Sequence, residues 1–345
     1  MLTNGHSVID KKLFTKRALE LASEDGRQLG TRLAREFGIS RAAASSRLRA
    51  LVREGLLEAE GATRSRTYHL AVIDQTAACY PTEGLSEDRV WRELCLPVVA
   101  DLPGNVLDIW NYGVTEMVNN AIDHSGSPVV EVSMNRTALH TECTVRDWGE
   151  GIFHKIQRAL ELYDPREAIL ELAKGKFTTD PERHTGEGIF FSSKLFDRFH
   201  ILSGRLAFVH EYRPDDMILE TDERETEGTA VFMSLRNDSV RNMKEVMDQY
   251  AAPEEYTFSR TIIPIRLAVH EGEKLVSRSQ AKRITFRIER FENVVLDFDG
   301  VEEIGQAFAD EIFRVFRRNH PGVNLTPINM SPQVEAMVRR AESSA

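Results

Sequence analysis

Four short motifs in the middle of the chain hold the side chains best placed to do chemistry. The first, EMVNNAIDHS, sets Glu116, Asn120 and Asp123 at i, i+4 and i+7, on one face of a helix. Met117, Val118 and Ala121 surround them, so the helix reads as largely buried. An acid–amide–acid stripe on such a helix is costly unless a ligand or metal partners it. The second, Asp147-Trp148-Gly149-Glu150-Gly151, closes a strand-like run. It puts a carboxylate at the strand end and lets the backbone approach a planar ligand at Gly149 and Gly151. The third, Thr185-Gly186-Glu187-Gly188, runs into a short helix, and glycines at a helix N-terminus offer phosphate both N–H groups and the helix dipole. The fourth, Gly228-Thr229, opens a strand of alternating apolar residues. Lys176 lies in the charged stretch between the second and third motifs, with Arg183 and His184 near its end, and Lys194 follows the glycine loop. Either lysine could neutralise phosphate charge, or stay solvated with no ligand.

In this order the four boxes resemble the GHKL ATPase superfamily of gyrase, histidine kinases, mismatch-repair ATPases and anti-sigma-factor kinases, over about residues 85–240. The resemblance implies a Bergerat-type α/β sandwich with ATP and Mg²⁺ as ligands. Asn120 would coordinate the Mg²⁺ that bridges the triphosphate oxygens, and Asp147 would accept a hydrogen bond from the adenine amino group. Gly149 and Gly151 would let the backbone pass beside the nucleotide. Gly186 and Gly188 would bring lid N–H groups onto the phosphates, and Thr229 would support the adenine end. Asp123, Lys176 and Thr185 complete the expected ATP-binding set. Glu116 matches the carboxylate that orients and deprotonates water in the hydrolysing branches. His124 matches a histidine of the kinase branch. Two departures stand out: no phosphate-accepting histidine helix is recognisable, and no gyrase-type lysine from a following domain can be identified.

These boxes need elements to position them, and the chain around them has its own rhythm. Residues 86–124 read as two helices broken near Leu102-Pro103-Gly104, followed by strands over 129–134 and 141–145. Upstream, three apolar-periodic segments end near Asp25-Gly26, at Gly38 and at Gly55, with Ser40 placed to cap the third. Two short strands then flank Gly61. The pattern resembles the winged helix-turn-helix family, which implies that its third helix enters a DNA groove. Arg41, Ser45, Arg47 and Arg49 would contact DNA from that helix, and Arg64 and Arg66 from the wing. Charge agrees: residues 1–72 hold 13 Lys+Arg against 8 Asp+Glu, on a chain whose net charge is −10.

The tail alternates strand and helix. NVVLDFDG reads as a central strand buried on both faces, and Ser331-Pro332 as the start of a final helix. VVLDFDGVEEIGQAFADEIF resembles STAS-like domains. Where anti-sigma antagonists carry a phosphorylated serine, Ile304-Gly305-Gln306-Ala307 offers no hydroxyl, so a protein-interaction or dimerisation role is expected here instead. Asp297 and Asp299 close the strand as loop and cap residues rather than as metal ligands.

Composition bounds the rest. With 41% hydrophobic and 28% charged residues the chain is globular. No apolar run reaches bilayer length and no secretory leader is recognisable. Cys79, Cys95 and Cys143 suit a reducing cytoplasm better than a disulfide or zinc scaffold. The expectation is an α/β multidomain protein with a winged helix over 1–75, a GHKL ATP-binding domain over 82–245 and a small STAS-like α/β domain over 257–345. Its expected function is that of an ATP-hydrolysing, nucleotide-dependent DNA-binding regulator, a homodimer when ATP is bound. An anti-sigma-type protein serine kinase and a non-hydrolysing ATP-bound scaffold are the alternatives.

Overall fold

The computed structural model describes residues 10–62, 65–177, 186–211, 216–220, 225–251, 258–269 and 273–343. Arg64, Arg183, His184 and Thr185 lie outside these described residues. At the N-terminus, α1 (Lys11–Asp25), α2 (Leu29–Glu36) and α3 (Arg41–Arg53) enclose a core of Phe14, Leu29, Leu33, Leu48 and Leu51. Ser40 caps α3 as expected, its hydroxyl accepting from the Ala43 N–H at 3.1 Å. The wing is the antiparallel pair β1 (Leu57–Glu60) and β2 (Thr67–Leu70). It docks where a side chain would not fit, since a Cβ on Gly26 would lie 1.7 Å from the Tyr68 carbonyl oxygen.

Only Ala71 separates β2 from β3 (Val72–Pro81), the edge strand of a seven-stranded antiparallel sheet in the order β3-β4-β5-β9-β6-β7-β8. The sheet therefore starts before residue 82, and both boundaries expected there shift. An edge strand exposes most of its length, and of this one only Thr76, Ala78 and Tyr80 turn toward the core. β4 (Val129–Thr137) and β5 (His140–Asp147) form a hairpin, and β9 (Thr226–Arg236) inserts between β5 and β6 (Arg198–Gly204). β7 (Leu206–Glu211) and β8 (Met217–Glu220) complete the far edge.

Helices cover one face of this sheet. A short run joins α4 (Glu87–Val90) to α5 (Leu96–Val99) through a π turn at Trp91–Cys95. The 21-residue α6 (Gly104–His124) lays Ile109, Trp110, Val114, Met117 and Ala121 into the main core. α7 (Ile152–Ala159), α8 (Pro165–Lys174), α9 (Gly188–Leu195) and α10 (Met243–Asp248) follow. The head rests against the hairpin end of the sheet. There Leu139 joins the head's core, and Lys16 reaches Asp238 at 2.9 Å.

The last module is a three-stranded parallel sheet, β10 (Arg260–Pro264), β11 (Asn293–Asp297) and β12 (Asn324–Ile328), with β11 in the middle as its apolar run predicts. α11 (Arg278–Thr285) begins in a capping box of Ser277 and Gln280. A second helical run comprises α12 (Gln306–Asp310), a π turn and α13 (Arg317–Asn319); α14 (Pro332–Ser343) closes the chain. Asp297 accepts from the Asp299 N–H at 3.0 Å and from Asn329 at 2.9 Å, the work of a loop residue. The architecture is thus a multidomain α/β protein: a winged helix, an antiparallel sheet layered with helices and a small α/β domain. No helix among the described residues is long and apolar enough to cross a membrane.

One close contact gives a stability test. A Cβ on Gly113, at the centre of α6, would lie 2.3 Å from the Phe196 ring, itself packed on Trp110. Gly113→Ala should destabilise the protein by about 1–3 kcal/mol through overpacking, read as a lower urea midpoint.

Candidate functional site

The inner ends of β5 and β9 bound a cavity of about 380 Å³ whose other walls are α6, α7 and the start of α9. Four elements converge there because the sheet register places Asp147, the last residue of β5, directly opposite Thr229. Asp147 is 6% exposed, and its Oδ1 accepts from the N–H groups of Gly149 (2.9 Å) and Thr229 (3.3 Å). Burial pushes its pKa above the ordinary aspartate value, while these two N–H groups and the Thr229 hydroxyl pull the other way. The same hydroxyl accepts from the Ile152 N–H at 3.0 Å and so ties β9 to the first turn of α7.

The glycines are required by close packing. A Cβ on Gly149 would lie 1.9 Å from the Ser125 carbonyl oxygen, and one on Gly188 would lie 2.0 Å from Glu116 Oε2. The carboxylate of Glu116 therefore sits against the N-terminus of α9, where the helix dipole favours negative charge. Burial, reinforced by the charges of Glu116 and Glu187, drives the Tyr112 phenol far above its usual range. Asn120 and Asn119 also line the cavity, and the buried Nδ2 of Asn120 has no hydrogen-bond partner.

That orphaned nitrogen is an N–H donor, which an oxygen acceptor on a ligand would satisfy and a metal ion would not. It belongs to a polar group whose desolvation a ligand would offset. No group of three or more His, Cys, Asp or Glu that could hold a metal ion occurs among the described residues. The amide oxygen of Asn120 is a hard donor of the kind Mg²⁺ takes, and the phosphates of a nucleotide would supply further oxygens.

The cavity gathers Glu116, Asn120, Asp147, Gly151, Gly186, Gly188 and Thr229, whereas Gly149 packs behind it on Ser125. Two expectations need correction, and one open reading is decided. Asp123 shares the angular face of Glu116 and Asn120 but lies in the last turn of α6, exposed and outside the cavity wall. Lys176 points away: its ammonium donates to the Arg290 carbonyl at 3.2 Å, in the third domain. Lys194 is held by Asp216 at 3.2 Å. The lysine that does line the cavity is Lys155 on α7, donating to the His124 carbonyl at 2.5 Å. Its signal was present in the sequence, since it falls one helical turn after Gly151, as were the neighbouring Asn119 and the apolar wall residue Phe177.

On the head, Arg41, Ser45 and Arg49 lie exposed along one face of α3, and Arg66 is exposed at the wing. Arg47 departs from this set. It is half-buried, its guanidinium 5.1 Å above the Phe14 ring, because position 47 turns toward α1.

Comparison with protein families agrees with this division. Residues 13–58 match a winged helix-turn-helix DNA-binding family, residues 65–206 a histidine kinase-like ATPase domain, and residues 280–335 a STAS-like domain of unknown function. The whole chain matches no curated protein. The chain therefore carries a winged helix-turn-helix, a GHKL-like ATPase domain and a STAS-like domain, in that order.

The buried carboxylate yields a two-sided test. Asp147→Asn keeps the shape and an acceptor for the Gly149 and Thr229 N–H groups but removes a desolvated charge. Above the folded pKa of Asp147 the variant should melt at a higher temperature than the wild type, with the gain shrinking as pH falls through that pKa. It should also lose about 10- to 100-fold in affinity for an adenine nucleotide, measured by calorimetry.

Proposed function

We propose that this protein is a nucleotide-dependent DNA-binding regulator that binds and hydrolyses Mg-ATP in the cavity between α6 and the sheet. The observation carrying this reading is the convergence of Glu116, Asn120, Asp147 and Gly188 on one cavity of nucleotide size. Asp147 accepts from the adenine amino group, a role that a carboxylate fixed by two backbone N–H groups can fill without moving. Asn120 would hold Mg²⁺, whose chemistry there would be to neutralise triphosphate charge. The N–H groups at Gly186 and Gly188 meet the phosphates, and Lys155 adds positive charge to a lining that also holds Glu116, Asp147 and Glu150. Glu116 takes the proton of the attacking water.

A winged helix on the same chain gives the ATPase something to regulate. Nucleotide binding changes how two copies pair, and the pairing sets how two heads meet DNA. This requires contacts that differ between the states.

Glu116→Ala should bind Mg-ATP with near wild-type affinity and hydrolyse it about 10²- to 10⁴-fold more slowly, while Asn120→Ala should lose Mg-dependent binding. Labelled ATP followed to free phosphate or to protein separates hydrolysis from a serine-kinase activity on a partner. Hydrolysis undiminished in Glu116→Ala would rule out the role given to that residue. For the head, Arg49→Ala should weaken DNA binding and lower the salt dependence of affinity by about one phosphate contact, read by fluorescence anisotropy across a salt series.

A further inference from the structure

The third domain grips the chain on both flanks of the glycine loop. α8, which leads into the loop, is buried from Ala168 to Lys174. Lys174 donates to Glu171 Oε1 at 2.5 Å and to the Arg283 and Phe286 carbonyls at 2.8 and 3.0 Å. Its own carbonyl accepts from the Thr261 hydroxyl at 2.7 Å. Gly175 and Lys176 then take positive φ angles in succession, +82° and +54°. A lysine held there is disfavoured by its Cβ and persists only where its surroundings over-determine it.

Those surroundings belong to the third domain. The Lys176 ammonium donates to the Arg290 carbonyl at 3.2 Å and lies 4.9 and 5.6 Å from the ring centroids of Phe291 and Phe258. Burial there pulls its pKa below the ordinary lysine value. The Lys176 carbonyl accepts from Arg287 at 3.4 Å and from Arg290 at 3.3 Å. The next residue, Phe177, carries the Arg287 guanidinium 5.2 Å above its ring, lines the nucleotide cavity, and donates its N–H to the Gly186 carbonyl at 3.2 Å. On the other flank, Phe190 packs on Phe258 at 4.7 Å and on Tyr250 at 4.9 Å. Among the described residues, no side chain of the third domain lines the cavity itself.

We propose that Lys176 is a positioning residue for the nucleotide cavity: captured by Phe258, Phe291 and the Arg290 carbonyl, it docks the Phe177–Gly186 neck onto the STAS-like domain, and through that neck the domain sets nucleotide affinity. The proposal rests on the nucleotide reading of the cavity and deepens it. Lys176 acts at one remove from the ligand, so a change in the STAS-like domain that loosens the cage is transmitted as a change in nucleotide retention.

The test uses the full chain, N-methylanthraniloyl-ATP with Mg²⁺, and the variants Lys176→Gln, Lys176→Arg, Phe291→Leu and Lys176→Gln with Phe291→Leu. Lys176→Gln should weaken the probe about tenfold, through faster dissociation, and Lys176→Arg should recover most of that loss because a guanidinium still stacks on the rings. Phe291→Leu should add nothing in the Lys176→Gln background, since both changes break one contact. In nucleotide-free protein, amide hydrogen exchange at Phe177 should accelerate in Lys176→Gln. Fully additive losses would mean that Lys176 meets the phosphates directly, and unchanged exchange with unchanged affinity would mean that the cage positions nothing. Either result overturns the proposal. If wild-type protein fails to bind the probe, the nucleotide reading falls. The exchange measurement alone then decides the docking: faster exchange supports it and unchanged exchange rejects it.

Discussion

The cavity depends on one cross-strand pairing, Asp147 opposite Thr229 between β5 and β9. The side-chain period of a strand is two, so a slip of one residue would turn Asp147 to the opposite face and separate it from the Thr229 N–H. The register holds because it is over-determined: eight consecutive residue pairs run from His140–Arg236 to Asp147–Thr229. Apolar residues from the same strands, Cys143, Val145, Val231 and Met233, lie buried under α6. A desolvated carboxylate is therefore held in place by a sheet whose stability comes from elsewhere. The site carries an unfavourable charge because the surrounding hydrophobic layer is large enough to bear it.

Much of this organisation was legible in the sequence. Caps at Ser40 and Ser331, and the boxes around Asn120, Asp147 and Gly188, are local signals whose physics involves residues close in the chain. At Lys176, Lys194 and Arg47 one cause recurs: the deciding neighbour lies far away in sequence. Lys176 resembles a phosphate ligand until Phe291 and Arg290 are seen to hold it. Lys194 resembles one until Asp216 is seen to pair with it, buried and with its pKa lowered mainly against its own desolvation by that lysine and by His210. Arg47 sits on the recognition helix but belongs to the packing of Phe14. Asp123 shows that angular position on a helix gives the face and not the depth. β3 was missed because an edge strand with one open face lacks the apolar density of a buried one.

The third domain is more closely joined to the site than its position at the chain end suggests. The ammonium of Lys174 is 1% exposed and meets Glu171, itself 4% exposed, with Arg287 Nη1 3.6 Å from the same carboxylate. Removing one member of such a cluster leaves an uncompensated buried charge, so the cluster fixes a specific docking of α8 more than it adds stability. Burial lowers the Lys174 pKa while Glu171 opposes that shift, which is the balance expected of a pair that must stay together.

The single residue between β2 and β3 has a mechanical meaning. One residue spans roughly 3.5 Å at full extension, so the head has no tether with which to search. Lys16 on Asp238, Arg236 at 3.6 Å from Glu20, and Leu139 in the head's core are further contacts between head and sheet. The winged helix is carried like a rigid tool on the edge of the sheet, and its orientation is that of β3. Where two such chains pair, the distance and phase between their recognition helices are dictated by the bodies. Whatever turns β3 turns the head with it.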